Sequence, residues 1–278
     1  MLDLARLAMR ILAEAPVRPR WAYYRLRAYA YHYVLDDRHR MRIGEYRKQA
    51  RTVRDAVAYV LGCSAEAVAA VDDSELMSSI VAEGKWVYSL GDYGDGDSPA
   101  GGPIGVNFGP SPEFMLLANL VCRLVQPEAV IETGVGRGFQ TTSILDALAR
   151  NQKGRLWSID LPSLYSGFAE QIGEVIPKRL RERWSLEFGP SAIVMPRLLE
   201  SFDRLDVSVH DAAANYDNQT TEYGIALAKM RPGGVLISNM INSDAFIEAT
   251  ETVDCRWAII DHHHPTKPSP LGVLCKVS

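Results

Sequence analysis

The chain has 278 residues, with 30 Lys and Arg against 34 Asp and Glu for a net charge of −4, and 47% of its residues are hydrophobic. This balance suits one large α/β unit with an added segment, and it excludes a disordered chain or a protein whose main partner is nucleic acid. No apolar run reaches 18 residues, and Asp3, Arg6, Arg10 and Glu14 interrupt the first twenty, so neither stable membrane insertion nor the apolar core of a signal peptide is expected.

Residues 1–88 read as helical. Leu4, Leu7, Ala8, Ile11 and Leu12 share one face, and Val53, Ala56, Val57 and Val60 share one side of a second stretch over 45–61. Ser64 is a candidate N-cap for a third helix, and Asp73 or Ser74 for a fourth. Residues 1–54 hold 13 Lys and Arg against 5 Asp and Glu, so this arm is basic and the remainder is acidic. Such an arm suits a solvated face, a membrane surface, or the acidic body of a second copy; a homo-oligomer through these helices is expected. Trp21, Tyr23, Tyr24, Tyr29, Tyr31 and Tyr33 form either a helical packing surface or a lid on substrate.

Composition changes over 89–113, where seven glycines mix with Pro99, Pro103, Pro110 and Pro112. A loop this long is a linker or a flap over a site, and Tyr93 within it is a candidate substrate contact.

Residues 114–278 alternate between helix-like and strand-like segments. Helices are expected over 114–125, 139–151, 191–201, 219–230 and 244–249, with a further one containing Arg179 to Arg183. Strands are expected over 128–132, 155–159, 184–188, 206–210, 235–238, 255–260 and 271–277. Pro232, Gly233 and Gly234 should end the helix over 219–230. The alternation implies a mainly parallel sheet covered on both faces. Cys63, Cys122, Cys255 and Cys275 include no C-x-x-C pair and read as free thiols, which suits a cytoplasmic location.

Ligands of such sheets bind beyond the carboxyl ends of the strands, which directs attention to Glu132, Asp160, Asp211 and Asn239. The first strand runs into Glu132-Thr133-Gly134-Val135-Gly136-Arg137-Gly138, a glycine loop that lets backbone approach a cofactor closely. Its E-x-G-x-G-x-G spacing differs from the dinucleotide G-x-G-x-x-G. A carboxylate at its mouth disfavours a pyrophosphate and favours the ammonium of a methionine moiety. Asp160 ends the second strand, where a carboxylate can accept hydrogen bonds from both ribose hydroxyls.

Several stretches in order carry a family resemblance: Val130-Ile131-Glu132-Thr133-Gly134-Val135-Gly136, Leu156-Trp157-Ser158-Ile159-Asp160-Leu161-Pro162, Ile176-Pro177 through Arg181-Glu182-Arg183-Trp184, Val209-His210-Asp211, and Arg231-Pro232-Gly233-Gly234-Val235-Leu236-Ile237-Ser238. Residues 112–278 thereby resemble class I S-adenosylmethionine-dependent methyltransferases, within them the bacterial sugar and natural-product O-methyltransferases. The resemblance implies a Rossmann-like seven-stranded sheet whose last strand is antiparallel and pairs with the sixth. It implies S-adenosylmethionine as cofactor. Glu132, Thr133, Gly134, Gly136 and Gly138 would hold its methionine part, Asp160 with Leu161 its ribose side, and Ser191 would lie near its adenine. Asp211 would face both donor and acceptor, and Tyr216, Asn239 and Met240 would contact a small-molecule substrate.

Departures from that family matter as much. Metal-assisted relatives continue their fourth strand as H-D-x-x-H-x-Y and end the fifth in S-D-D. Here the stretches read His210-Asp211-Ala212-Ala213-Ala214-Asn215-Tyr216 and Ser238-Asn239-Met240, so Ala214, Asn239 and Met240 replace potential ligands. No catalytic metal is expected, because one remaining Asp is a poor site for a hard divalent cation. General-base candidates are Asp211, His210 and His263, the last flanked by His262 and His264. Methyl transfer to an oxygen or nitrogen nucleophile is the first reading. Alternatives are an enzyme that binds the cofactor without spending its methyl group, as in cyclisation, rearrangement or elimination, a non-catalytic binding subunit, and a dinucleotide-dependent oxidoreductase.

Overall fold

The computed structural model describes residues 23, 46, 49–76, 78, 111–161, 172–241, 243–261 and 270–278. The amphipathic stretch at residues 4–12, most of the aromatic cluster, residues 89–110 of the Gly/Pro-rich segment including Tyr93, and His262, His263 and His264 lie outside the described residues.

Two short helices come first. Helix α1 (Val53–Leu61) starts where Thr52 accepts a hydrogen bond from the Asp55 N–H, and it stops at Gly62, whose left-handed backbone (φ 66°) returns N–H bonds to Ala58 and Tyr59. The expected helix over 45–61 is therefore shorter. Arg51 instead forms a single bridge to Ile260, its N–H donating to the Ile259 carbonyl at 2.9 Å. Helix α2 (Ala65–Ala69) is capped by Ser64, as its sequence position suggested. Beyond it, Ser74, Glu75 and Leu76 are helical, and the Asp72 carboxylate accepts from the Ser74 N–H at 3.1 Å.

The remaining elements alternate. They are α3 (Pro112–Val125), β1 (Ala129–Thr133), α4 (Phe139–Arg150), β2 (Arg155–Asp160), a 3-10 helix (Lys178–Arg183), β3 (Trp184–Phe188), α5 (Ser191–Glu200), β4 (Leu205–His210), α6 (Tyr216–Lys229), β5 (Met230–Ser238), α7 (Ala245–Thr252), β6 (Cys255–Ile260) and β7 (Leu271–Lys276). The sheet runs β3-β2-β1-β4-β5-β7-β6. β7 is antiparallel to both β5 and β6, and the other pairs are parallel.

Central strands are buried on both faces, so they read as continuous apolar runs whose residues divide by parity. Val130, Val209, Val235, Ile237 and Val273 pack against α1, α3 and α4. Ile131, Leu236, Ile259 and Leu274 pack against α5, α6 and α7. Helix α1 belongs to the first of these layers, since Ala56, Val57 and Val60 are fully buried in it.

The bounds of α6 and β5 also differ from the sequence reading. Helix α6 begins a turn earlier, because Asn215 caps it by accepting from the Asn218 N–H at 3.0 Å. It ends at Lys229, and Pro232-Gly233-Gly234 lies within β5 rather than after a helix. There the register against β4 slips between Leu205 and Val207, with Gly233 at φ 75° absorbing the irregularity.

Asp206 ties this region together. Its buried carboxylate accepts from the Glu128 and Ala129 N–H groups at 2.8 and 2.9 Å and from Arg231 Nε at 2.5 Å. Burial pushes its pKa up, but Arg231 and the two amides outweigh that and hold it below the ordinary value. Asp206→Ala should therefore lower urea-unfolding stability by about 2–3 kcal/mol at neutral pH. The loss should shrink as pH falls below about 4, because a depressed carboxylate stabilises above its unfolded pKa and stops doing so once protonated.

Candidate active site

At the carboxyl edge of the sheet, three strands end together. Thr133 pairs with His210 and His210 pairs with Ser238, so the last residues of β1, β4 and β5 form one row. The residues that follow, Gly134, Asp211 and Asn239, leave the sheet side by side. The Asp211 N–H donates to the Thr133 carbonyl at 2.7 Å, and the Asn239 N–H to the His210 carbonyl at 2.9 Å.

The glycine loop between β1 and α4 needs its glycines. Gly134, Gly136 and Gly138 all have positive φ, at 83°, 52° and 98°. A Cβ on Gly134 would sit 2.2 Å from the Asp211 carbonyl oxygen, so this glycine lets the loop press against the end of β4. A Cβ on Gly138 would meet the Ile176 side chain and the Gly173 backbone.

Glu132 is fully buried beneath the start of α4 rather than open at the loop mouth. Its Oε2 accepts from Thr141 Oγ1 at 2.9 Å and Ser158 Oγ at 2.6 Å, while its buried Oε1 has no protein partner. Burial pushes its pKa up to about 8 against those two hydrogen bonds, with the Asp211 and Asp160 charges adding to the rise. Asp160 Oδ2 accepts from the Val135 and Gly136 N–H groups at 2.8 and 2.9 Å, which fastens the loop to the end of β2. Leu161 follows directly and is partly buried.

Asp211 is partly buried and stands beside Asn239, whose Nδ2 donates to Asp211 Oδ1 at 2.7 Å. Burial pushes the Asp211 pKa up to about 7, although the hydrogen bond from Asn239 pulls it down. Asn239 Oδ1 accepts from the Met240 N–H at 2.9 Å, and Met240 itself has φ 47°, an uncommon conformation for a residue with a side chain.

Other expected site residues have different partners. Ser191, at the start of α5, donates to Glu222 Oε1 at 2.5 Å, and the Thr133 hydroxyl donates to Glu222 Oε2 at 2.5 Å. The Tyr216 hydroxyl donates to Glu248 on α7 at 2.5 Å. His210 is buried, with Nδ1 2.7 Å from Glu222 Oε2. Tyr93 and His263 lie outside the described residues.

Sequence reasoning overlooked Glu222 and Asn218. The available signal was polar spacing on one helix: Asn215, Asn218, Gln219 and Glu222 recur at three- and four-residue intervals beside the apolar Tyr223 and Leu227. Reading Asn215-Tyr216 as the tail of a metal-type motif hid the cap that starts this helix.

Among the described residues, no three His, Cys, Asp or Glu side chains come together in a way that could hold a metal ion, and no helix is long and apolar enough to cross a membrane.

A seven-stranded sheet of this order, with an antiparallel β7 and a glycine loop after β1, is the class I methyltransferase fold. Residues 131–239, running from within β1 to just past β5, match the methyltransferase domain family. No curated protein sequence matches the chain.

Solved structures share the fold at low identity. The O-methyltransferase TomG from Streptomyces achromogenes, involved in tomaymycin synthesis and crystallised with S-adenosylmethionine, is 17% identical over 75% of this chain and 92% of its own, with a TM-score of 0.52. A proposed O-methyltransferase from Klebsiella pneumoniae is 14% identical over 83% of this chain and 99% of its own, with a TM-score of 0.54. An O-methyltransferase from Bacillus cereus, in complex with SAH, is 14% identical over 82% and 99%, with a TM-score of 0.50.

Two outcomes follow from the site geometry. Gly134→Ala should lower the thermal midpoint by several degrees, about what 1–3 kcal/mol of backbone strain produces before the clash with Asp211 is added. Glu132 has a folded pKa above its unfolded value, so its stabilising contribution is complete below about pH 4.3 and is lost as pH rises towards about 8. Glu132→Gln should flatten the fall in ligand-free stability across that window, as measured by urea unfolding at several pH values.

Proposed function

We propose that the protein transfers a methyl group from S-adenosylmethionine to an oxygen or nitrogen nucleophile of a small molecule, without a catalytic metal. The observation that carries this reading is the Asp211–Asn239 pair, hydrogen-bonded at 2.7 Å and pressed against the glycine loop at Gly134.

The residues present fit the cofactor. Glu132, beneath the glycine loop, keeps one buried oxygen without a protein partner. An ammonium group beside that oxygen would favour the ionised carboxylate. In this reading Asp160, ending β2, serves the ribose side, and Ser191, after β3, the adenine side. S-adenosylmethionine, when bound, supplies an electrophilic sulfonium methyl.

The chain's own part is then alignment and proton removal. Asp211, with a pKa of about 7, can take the proton of an acceptor hydroxyl or amine near neutral pH. Asn239 holds the carboxylate in place by donating to one of its oxygens, which leaves the other oxygen for the acceptor. The absence of a metal requirement rests on residue chemistry. Ala214 and Met240 offer no oxygen side chain, and Asn239 turns its NH₂ towards Asp211 while its oxygen receives the Met240 N–H. Positioning supplies most of the rate in such an in-line displacement.

Fold likeness to TomG, described as acting in tomaymycin synthesis, supports natural-product or sugar tailoring as the setting. The same reading carries the expectations of a homo-oligomer and a cytoplasmic location.

Asp211→Asn should lower kcat about 10²- to 10⁴-fold while S-adenosylhomocysteine affinity by calorimetry stays within a few-fold. Wild-type turnover should rise with pH through about 7 and survive EDTA. Turnover of a small-molecule acceptor with S-adenosylmethionine recovered unchanged would sink methyl transfer in favour of a non-methylating reaction. Loss of activity with EDTA, restored by Mg²⁺, would sink the metal-independent mechanism.

A further inference from the structure

Behind the strand ends lies a buried carboxylate with no part in the chemistry above. Glu222 projects from α6 onto the row formed by Thr133, His210 and Ser238, and it is 2% exposed. Its Oε2 accepts from Thr133 Oγ1 at 2.5 Å and faces His210 Nδ1 at 2.7 Å. Its Oε1 accepts from Ser191 Oγ at 2.5 Å and Asn218 Nδ2 at 2.8 Å. Four donors on two oxygens nearly exhaust the capacity of an ionised carboxylate. Burial pushes the Glu222 pKa up, but the hydrogen bonds from His210, Ser191 and Thr133 hold it below the ordinary value, so the group stays ionised.

Each partner borders the candidate site. Thr133 precedes Gly134, His210 precedes Asp211, and Ser191 opens α5 after β3. An ionised carboxylate can only accept, so His210 must carry its hydrogen on Nδ1. The other ring nitrogen, Nε2, is buried without a partner, and a hydrogen there would be a buried donor facing nothing. Tyr223, next along α6, closes the ring from the edge at 5.5 Å between centroids and shares a 2.5 Å hydrogen bond with Ser238.

We infer that Glu222 is a positioning residue: it locks His210 as the Nδ1–H tautomer and through the Thr133–His210–Ser238 row fixes where Gly134, Asp211 and Asn239 leave the sheet. This inference rests on the methyl-transfer reading only for its effect on turnover. The tautomer lock is testable without any reaction.

Glu222→Gln is the informative variant. An amide fills the same space but brings an N–H₂ that must face one donor pair. The strain is relieved if His210 moves its hydrogen to Nε2 and accepts at Nδ1. The experiment is a long-range ¹H–¹⁵N spectrum of the full chain with ring-labelled histidine, the His210 signals being assigned by their loss in His210→Gln. Wild-type protein should show a protonated Nδ1 and an unprotonated Nε2, and Glu222→Gln should exchange the two patterns. In parallel, kcat should fall at least about tenfold with S-adenosylhomocysteine affinity within threefold, the split expected of a group that orients rather than binds.

An unchanged His210 spectrum in Glu222→Gln overturns the tautomer lock. A changed spectrum with unchanged kcat overturns the positioning role. If Asp211→Asn leaves turnover intact while the His210 spectrum still switches, the proton-acceptor reading fails and the lock stands. Should Glu222→Gln not fold, Thr133→Val and Ser191→Ala each remove a single donor. Thr133→Val, which frees the oxygen shared with His210, should shift the His210 Nδ1 signal more than Ser191→Ala does; equal or no shifts count against the inference.

Discussion

A buried polar layer at the carboxyl edge of the sheet governs how this protein is put together. Strand-end residues of an α/β sheet must change from apolar packing to ligand chemistry within one or two positions. The polar groups this introduces are still out of water, and each costs free energy unless it finds a partner. Thr133, His210 and Ser238 are those groups, and α6 supplies their partners in Glu222 and Tyr223. Helix α6 therefore does more than cover the sheet, since its buried polar face sets the relative position of three strand ends.

The same principle explains the two faces of Glu132 and Asp211. Both are carboxylates out of bulk water with fewer hydrogen bonds than Glu222 receives, and both have raised pKa values. Glu222, with four donors, goes the other way. Within one small region, the number of donors around each acid separates a fixed structural anion from groups that can gain or lose a proton near neutrality. Loss of the metal-type ligands belongs to this picture. At the position where metal-assisted members of the resembled family place a second carboxylate, Asn239 supplies a neutral donor to Asp211.

Much of the fold was legible along the chain because its signals are local. Apolar runs at 129–133, 205–210 and 271–276, the cap at Ser64, and the glycines of the β1–α4 loop all act within a few residues. Misreadings arose where one local signal masked another. Pro232-Gly233-Gly234 has the composition of a helix stop, yet the chain was already extended from Met230 and used these residues for a register slip. Asn215 was a cap concealed inside a stretch read as site chemistry.

By itself the sequence determined the order of strands and helices, the positive-φ loop after β1, and the acids and amides that occupy the strand ends, because backbone preference and hydrophobic period are properties of short segments. Only the tertiary structure decided which of those polar groups meet. Thr133, His210 and Glu222 are separated by up to 89 positions in the chain and become neighbours because parallel pairing aligns β1 with β4 and α6 packs back over β4 and β5, where Glu222 reaches Thr133. It also decided that Glu132 is sealed beneath α4 instead of standing open at the loop, since burial depends on what the rest of the chain packs over a residue.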